Sequence, residues 1–103
     1  MLRKMYVTMV KIRKFEERVA ELVTPPKEII TPCHLYIGEE AVATGVCTAL
    51  KKDDYVFSTH RSHGHFIAKG GDLKALMAEL YCKKTGCSKG KGGSMHIASP
   101  DIG

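Results

Sequence analysis

A cluster of histidines around one arginine is the most unusual stretch of the sequence. Residues 59–65 read THRSHGH, and they follow directly on Tyr55–Thr59, a short aromatic and β-branched run that predicts a strand. Ligands in α/β folds lie beyond the carboxyl ends of strands. Because a guanidinium can bind two phosphate oxygens at once, Arg61 with its neighbour His60 indicates a diphosphate site.

Two other interpretations of this cluster stay open on its residues alone. The H-x-H spacing of His63 and His65, together with His60, can chelate a metal ion, although the cluster contains no carboxylate to complete the ligand set. The histidines can also merely cap backbone groups. We expect no metal site whose ligands all lie within this chain.

The glycine- and lysine-rich segment from Gly86 to Ser94 invites comparison with a phosphate-binding loop and does not fit it. That loop needs four residues between its glycines, then Gly-Lys-Ser/Thr, whereas three residues separate Gly86 from Gly90 and Gly92 follows Lys91. Two interpretations remain, a flexible basic loop near an acidic ligand or partner and a plain surface loop.

A third segment, HLYIGEEA at 34–41, places a lone histidine before an apolar pair. A histidine in such a setting is more often structural than catalytic, and both roles stay open for His34. Residue types alone therefore indicate a soluble α/β piece with an anion site.

Helices are predicted to position these segments. Apolar residues recur in steps of three and four from residue 2 to residue 22, which predicts an amphipathic helix that ends before Pro25-Pro26. A second helix is predicted over 39–50, with Val42, Val46 and Leu50 on one face. The stripe of the first helix comprises Leu2, Met5, Met9, Ile12, Phe15, Val19 and Leu22.

A third clear helix is predicted over about 73–84, with Asp72 as its N-cap and Gly86 as a left-handed C-cap. One strand cannot form a sheet, because its amides and carbonyls need partners. The expected fold class is therefore α/β and mainly helical, with a sheet that is incomplete in this chain and is completed by further chain or another subunit.

Composition excludes several function classes. The chain has 103 residues and a net charge of +5, but no tract of five like charges and no aromatic residues within a basic stripe, so we expect no nucleic acid partner. No apolar run approaches the ~20 residues that span a bilayer, and no secretory signal opens the chain. The four cysteines show no zinc-finger spacing, which favours reduced thiols and a cytoplasmic location.

Taken together, the segments 34–50, 54–65, 68–86 and 87–98 carry two specific elements in a fixed order, His-Arg-x-His-Gly and Lys-Gly-x-Gly-Gly-Ser-Met-His. In these the chain resembles the α subunit of thiamine-diphosphate-dependent dehydrogenases that feed lipoyl multienzyme complexes. THR at 59–61 and MHIA at 95–98 are more similar to the acetoin dehydrogenase branch than to the pyruvate and branched-chain types.

The resemblance implies a thiamine diphosphate-binding α/β fold and assigns roles residue by residue. Arg61 matches the arginine that contacts the cofactor diphosphate, and His60 occupies the adjacent cofactor-contacting position. His34 matches the histidine near the substrate carbonyl and is the expected catalytic residue. His63 and His65 lie in the same motif and are expected to support the site from behind.

The resemblance also implies partners. A β subunit supplies the activating carboxylate in an α2β2 assembly, and a lipoyl acyltransferase receives the acyl group from acetoin or a 2-oxo acid. The family's magnesium motif is expected beyond Gly103, so residues 1–103 would be a partial cofactor-binding domain that works with the remainder of the α subunit. A non-catalytic remnant or assembly module is the alternative, and the substrate stays open among acetoin, pyruvate and branched-chain 2-oxo acids.

Overall fold

The first helix, α1, spans Leu2–Val23 as its apolar periodicity predicts, in a computed structural model that describes all residues 1–103. Only the second half of its stripe is buried, with Ile12 and Val19 fully enclosed, whereas Leu2 is exposed. Glu16 lies on the same stripe, four residues after Ile12 and three before Val19, and is also fully buried. The core that α1 covers therefore contains a carboxylate.

Helix α2 spans Glu40–Thr48, within the predicted range 39–50, but it packs through the opposite face from the one expected. Val42 and Val46, predicted to point inward, are 60% and 52% exposed. The buried residues Ala43, Thr44 and Cys47 are small. Small side chains allow α1 and the helix that follows α2 to pack closely against α2. This close packing explains why the face with Ala43, Thr44 and Cys47 turns inward.

The predicted strand at 55–59 is wrong. Residues 1–103 contain no strand, and the only backbone hydrogen bond made by this segment runs from the Val56 N–H to the Gly103 carbonyl at 2.7 Å. The Phe57 side chain is 94% exposed. An extended segment becomes a strand only when a partner satisfies its amides and carbonyls, and these residues offer none. The described fold is helical, and its α/β assignment is not borne out within this chain.

Helix α3 spans His63–Ala68 and was not anticipated from the sequence. It begins inside the histidine cluster, so His63, Gly64 and His65 form its first turn. The helix packs against both α1 and α2. A Cβ on Gly64 would overlap the ring of Tyr36, which explains why glycine stands at this position.

Gly64→Ala is accordingly expected to destabilise the fold by about 1–3 kcal/mol, the usual cost of forcing extra atoms into a packed core. Urea denaturation at neutral pH measures the change. Gly45→Ala is the matched control, because a Cβ at this helical glycine would meet no atom within 4 Å. Equal stability of the two variants would contradict the packing of α3 against Tyr36.

Helix α4 spans Leu73–Leu80, and Asp72 caps it as predicted by accepting hydrogen bonds from the amides of Lys74 and Ala75. The predicted extension to residue 84 and the left-handed Gly86 are wrong. Cys82 takes the left-handed conformation instead, with φ 57°, and the chain turns back early. A short 3-10 helix, Pro100–Ile102, follows near the end.

The core lies between α1, α3, α4 and the segment before α2. Ile12 and Val19 of α1 belong to the same buried cluster as Ile29 and as Leu76 and Leu80 of α4. No helix in residues 1–103 is long and apolar enough to cross a membrane.

Candidate functional site

Three residues that the sequence nominated lie together although they come from two separated segments. The rings of His34 and His60 meet edge to face, with centroids 4.7 Å apart and planes at 87°. Nη1 of Arg61 donates a hydrogen bond to the carbonyl oxygen of Leu35 at 2.5 Å. The segment before α2 and the turn before α3 therefore form one continuous surface.

The guanidinium of Arg61 retains donors without a protein acceptor. Nη1 alone is hydrogen-bonded, and no carboxylate in residues 1–103 forms an ion pair with Arg61. Arg61 is partly buried and His60 is exposed. A cation without an acidic partner, beside an accessible imidazole, suits an anionic group that can occupy the remaining fork of N–H donors.

His63 lies behind this surface and is fully buried. Its Nδ1 is 2.7 Å from Glu16 Oε1, and its Nε2 is 2.9 Å from Ser94 Oγ. Both ring nitrogens are therefore engaged by protein atoms, which disfavours the chelate with His60 and His65 that the spacing allowed. No group of three or more histidine, cysteine, aspartate or glutamate side chains is placed to hold a metal ion in residues 1–103.

His65 has different partners from His63. Its Nδ1 is 3.1 Å from Ser58 Oγ, and its ring packs edge to face against Tyr36 with centroids 5.5 Å apart. Burial lowers the pKa of His65, which favours the neutral imidazole at neutral pH. The structure thus brings together His34, His60 and Arg61, and it separates His63 and His65 from them.

A cavity of about 490 Å3 opens beside α3. Its walls include the segment 55–59, the partly buried His65 with Phe66 and Lys69 of the same region, and most of the segment 95–103. Ser62, which stands between Arg61 and His63, also lines it, and the Ser62 hydroxyl is buried without a hydrogen-bond partner. The segment predicted as a strand therefore borders this cavity without forming a sheet, and His34, His60 and Arg61 do not line the cavity.

The glycine- and lysine-rich segment wraps around the buried carboxylate of Glu79. Oε1 accepts hydrogen bonds from the amides of Ser88 at 2.6 Å and Gly90 at 3.0 Å, and Oε2 accepts from Gly92 at 2.8 Å and Gly93 at 3.1 Å. Burial by itself raises the pKa of Glu79, but the four donors outweigh it, so the pKa lies below its ordinary value. The acidic group that these four amides bind is therefore a side chain of the same chain, Glu79.

Sequence reasoning missed the burial of Glu16 and Glu79. Glu16 stands on the apolar stripe of α1, and this position is the one signal that pointed to its burial. Glu79 stands between Ala78 and Leu80, next to residues of the α4 stripe, before a segment rich in backbone donors. A glutamate at a core position followed by a glycine-rich loop is the pattern that indicates such an arrangement.

Two histidines and an arginine without an acidic partner thus come together from the loop before α2 and the turn before α3. The family model described as "Dehydrogenase E1 component" matches residues 6–101 of this chain. The chain belongs to this family, and the resemblance drawn from its motifs is confirmed.

Several curated relatives are similar over nearly the whole chain. The alpha subunit of acetoin:2,6-dichlorophenolindophenol oxidoreductase from Bacillus subtilis is 55% identical over 96% of this chain, and the protein of the same name from Cupriavidus necator is 50% identical over 90%. The pyruvate dehydrogenase E1 component subunit alpha of Porphyra purpurea is 47% identical over 92%. The chain spans 29%, 28% and 27% of the lengths of these three relatives, so it corresponds to less than a third of each.

Proposed function

We propose that residues 1–103 are part of the thiamine diphosphate-binding domain of a dehydrogenase E1 α subunit, and that Arg61 and His60 bind the diphosphate of the cofactor. The observation that carries the proposal is the convergence of His34, His60 and Arg61 from two segments onto one surface. The family resemblance nominated the same three residues, which supports the proposal.

The residues present fit a diphosphate. Arg61 has one donor fixed on the Leu35 carbonyl, which orients the guanidinium, and its other donors have no protein acceptor. An oriented fork loses less side-chain freedom on binding than a mobile one. The ligands of the accompanying magnesium ion are proposed to lie outside residues 1–103, in the remainder of the subunit.

Thiamine diphosphate held by Arg61 and His60 would supply the chemistry for cleaving the carbon–carbon bond of the substrate. His34 is proposed to act at the substrate. It is partly exposed, makes no hydrogen bond within the protein and packs against the ring of His60. Its imidazole can therefore donate a proton or a hydrogen bond to a carbonyl oxygen on which negative charge develops.

The substrate is proposed to be acetoin or a 2-oxo acid such as pyruvate, with the acyl group passed to lipoamide on an acyltransferase. The names of the relatives support this range. We further propose an α2β2 assembly with a β subunit and a cytoplasmic location. The alternative of a non-catalytic assembly module would not require an unpaired Arg61 on the surface that carries His34.

Arg61→Ala in the complete enzyme tests the proposal. Loss of a charge-assisted hydrogen bond costs roughly 1.5–3 kcal/mol, so the Kd for thiamine diphosphate should rise about 10- to 100-fold. Arg61→Lys should recover part of the affinity, because a point charge remains but the bidentate fork is lost. Calorimetric titration in the presence of magnesium measures both.

Arg18→Ala is the matched control. It removes the same charge from an exposed ion pair with Glu21, a type of pair that contributes little to stability. Its cofactor affinity should equal that of the wild type. An unchanged Kd in Arg61→Ala would show that the diphosphate lies elsewhere and would favour the assembly-module alternative.

A further inference from the structure

Glu16 is the buried group that the proposed site does not account for. Its side chain has no exposed surface, although it carries a carboxylate in the middle of an apolar stripe. One oxygen, Oε1, accepts a hydrogen bond from the Tyr36 amide at 3.0 Å and lies 2.7 Å from Nδ1 of His63. Burying a carboxylate is costly unless it is hydrogen-bonded, and these two contacts offset part of that cost.

The two partners of Glu16 belong to the two segments that carry the proposed site. Tyr36 stands two residues after His34, and His63 stands two residues after Arg61. A single oxygen atom on α1 therefore links the backbone that carries one functional side chain to the helix turn that carries the other. The hydrogen bond from Arg61 to the Leu35 carbonyl is a second link between the same two segments.

We propose that Glu16 is a positioning residue that holds His34 and Arg61 in their relative places by accepting both hydrogen bonds on Oε1. This inference rests on the proposed function for its effect on the cofactor and the substrate. It goes beyond that function in assigning a role to a residue of α1 that touches neither of them.

The hydrogen-bond pattern follows from the chemistry of the groups. The Tyr36 amide is a donor only, so Oε1 of Glu16 accepts its hydrogen bond, and the contact of Oε1 with Nδ1 of His63 fits the tautomer that carries hydrogen on Nδ1. Nε2 of His63 then engages Ser94, in the loop that Glu79 holds. The link thus extends from α1 through α3 to the glycine-rich segment.

The position of Oε1 matters more for this positioning role of Glu16 than the charge of the carboxylate. Oε2 of Glu16 is buried and has no hydrogen-bond partner. Glu16→Gln keeps an amide oxygen that can accept both hydrogens, whereas Glu16→Asp keeps the charge but is one methylene too short to reach both donors. The two conservative variants therefore separate geometry from charge.

The experiment compares Glu16→Ala, Glu16→Asp and Glu16→Gln in the complete α subunit assembled with its β subunit. Hydrogen exchange followed by mass spectrometry, without cofactor, reports on peptides covering 34–38 and 60–66. Both peptides should exchange faster together in the alanine and aspartate variants. With thiamine diphosphate and magnesium, the Kd should rise about tenfold and kcat should fall ~10- to 100-fold, since small displacements of reacting groups have effects of this size. Glu16→Gln should stay close to the wild type in all three measurements.

Glu40→Gln is the matched control. Glu40 is also a buried carboxylate in this part of the fold, but it pairs with Arg13 and the Gly38 amide and forms no hydrogen bond with Tyr36 or His63. The Glu40→Gln variant should therefore show wild-type hydrogen exchange in the peptide 60–66, a wild-type cofactor Kd and a wild-type kcat.

The inference is overturned if exchange at 34–38 and 60–66 is unchanged in Glu16→Asp, or if Glu16→Gln behaves like Glu16→Asp. If Glu16→Ala does not fold, the contrast between aspartate and glutamine still decides the question. Faster exchange in both peptides with unchanged Kd and kcat would support the link made by Glu16 and count against the proposed function instead.

Discussion

Replacing His34 with alanine is expected to lower the turnover of the complete enzyme by ~10²–10⁴-fold, the usual contribution of a positioned proton donor. The cofactor Kd should change far less, because the diphosphate is proposed to bind Arg61 and His60. His34 makes no hydrogen bond within the protein and contacts His60 only through its ring. Its nitrogens are therefore available to a substrate. Steady-state kinetics and calorimetry on the same preparation separate the two effects.

His96→Ala is the matched control, because His96 is an exposed histidine whose side chain makes no hydrogen bond within residues 1–103. It should retain wild-type turnover and melting temperature. If His34→Ala instead kept full turnover and melted at a lower temperature, His34 would be a structural residue. The site would then consist of Arg61 and His60 alone.

Local sequence signals predicted the elements whose formation depends on nearby residues. The periodic stripe of α1 and the capping side chain of Asp72 act within a turn or two of the chain, and both were predicted correctly. The motif resemblance identified the family, and it nominated His34, His60 and Arg61, which the fold brings together. Their roles stay predictions that the variants above test.

Features that depend on distant partners could not be read from the sequence. The segment 55–59 has strand composition but no neighbour in this chain, so its composition did not decide its structure. Val42 and Val46 are apolar, yet the smaller face of α2 packs because it allows closer contact. The burial of Glu16 and Glu79 depends on donors that lie 20 or more and 9 or more residues away along the chain.

Glu79→Ala is expected to destabilise the fold by about 3–5 kcal/mol, because it leaves four backbone donors of the glycine-rich segment without their acceptor. Glu79→Gln should cost less, since one oxygen can still accept two of these hydrogen bonds. The loss should also reach the proposed site, because Ser94 of this segment contacts His63. Urea denaturation measures stability, and hydrogen exchange of residues 86–94 shows where the loss occurs.

The pH dependence of the same variants gives an independent check. The pKa of Glu79 is lowered in the folded protein, so on acidification the unfolded chain takes up this proton first. The stabilisation from Glu79 is therefore fully present above about pH 4.5, the ordinary value, and is lost as the pH falls through the lowered value. Wild-type stability should drop over this acid range, and Glu79→Gln should drop less steeply.

Some acid sensitivity should remain in Glu79→Gln, because the hydrogen bond from Arg13 also lowers the pKa of Glu40. Glu17→Gln serves as the control, since Glu17 is exposed on α1 and accepts no hydrogen bond in residues 1–103. Its stability should follow the wild type from neutral to acid pH. Identical acid profiles for Glu79→Gln and the wild type would contradict an ionised Glu79 at the centre of the loop. A stability of Glu79→Ala equal to that of the control would show that the four amides find other acceptors at little cost.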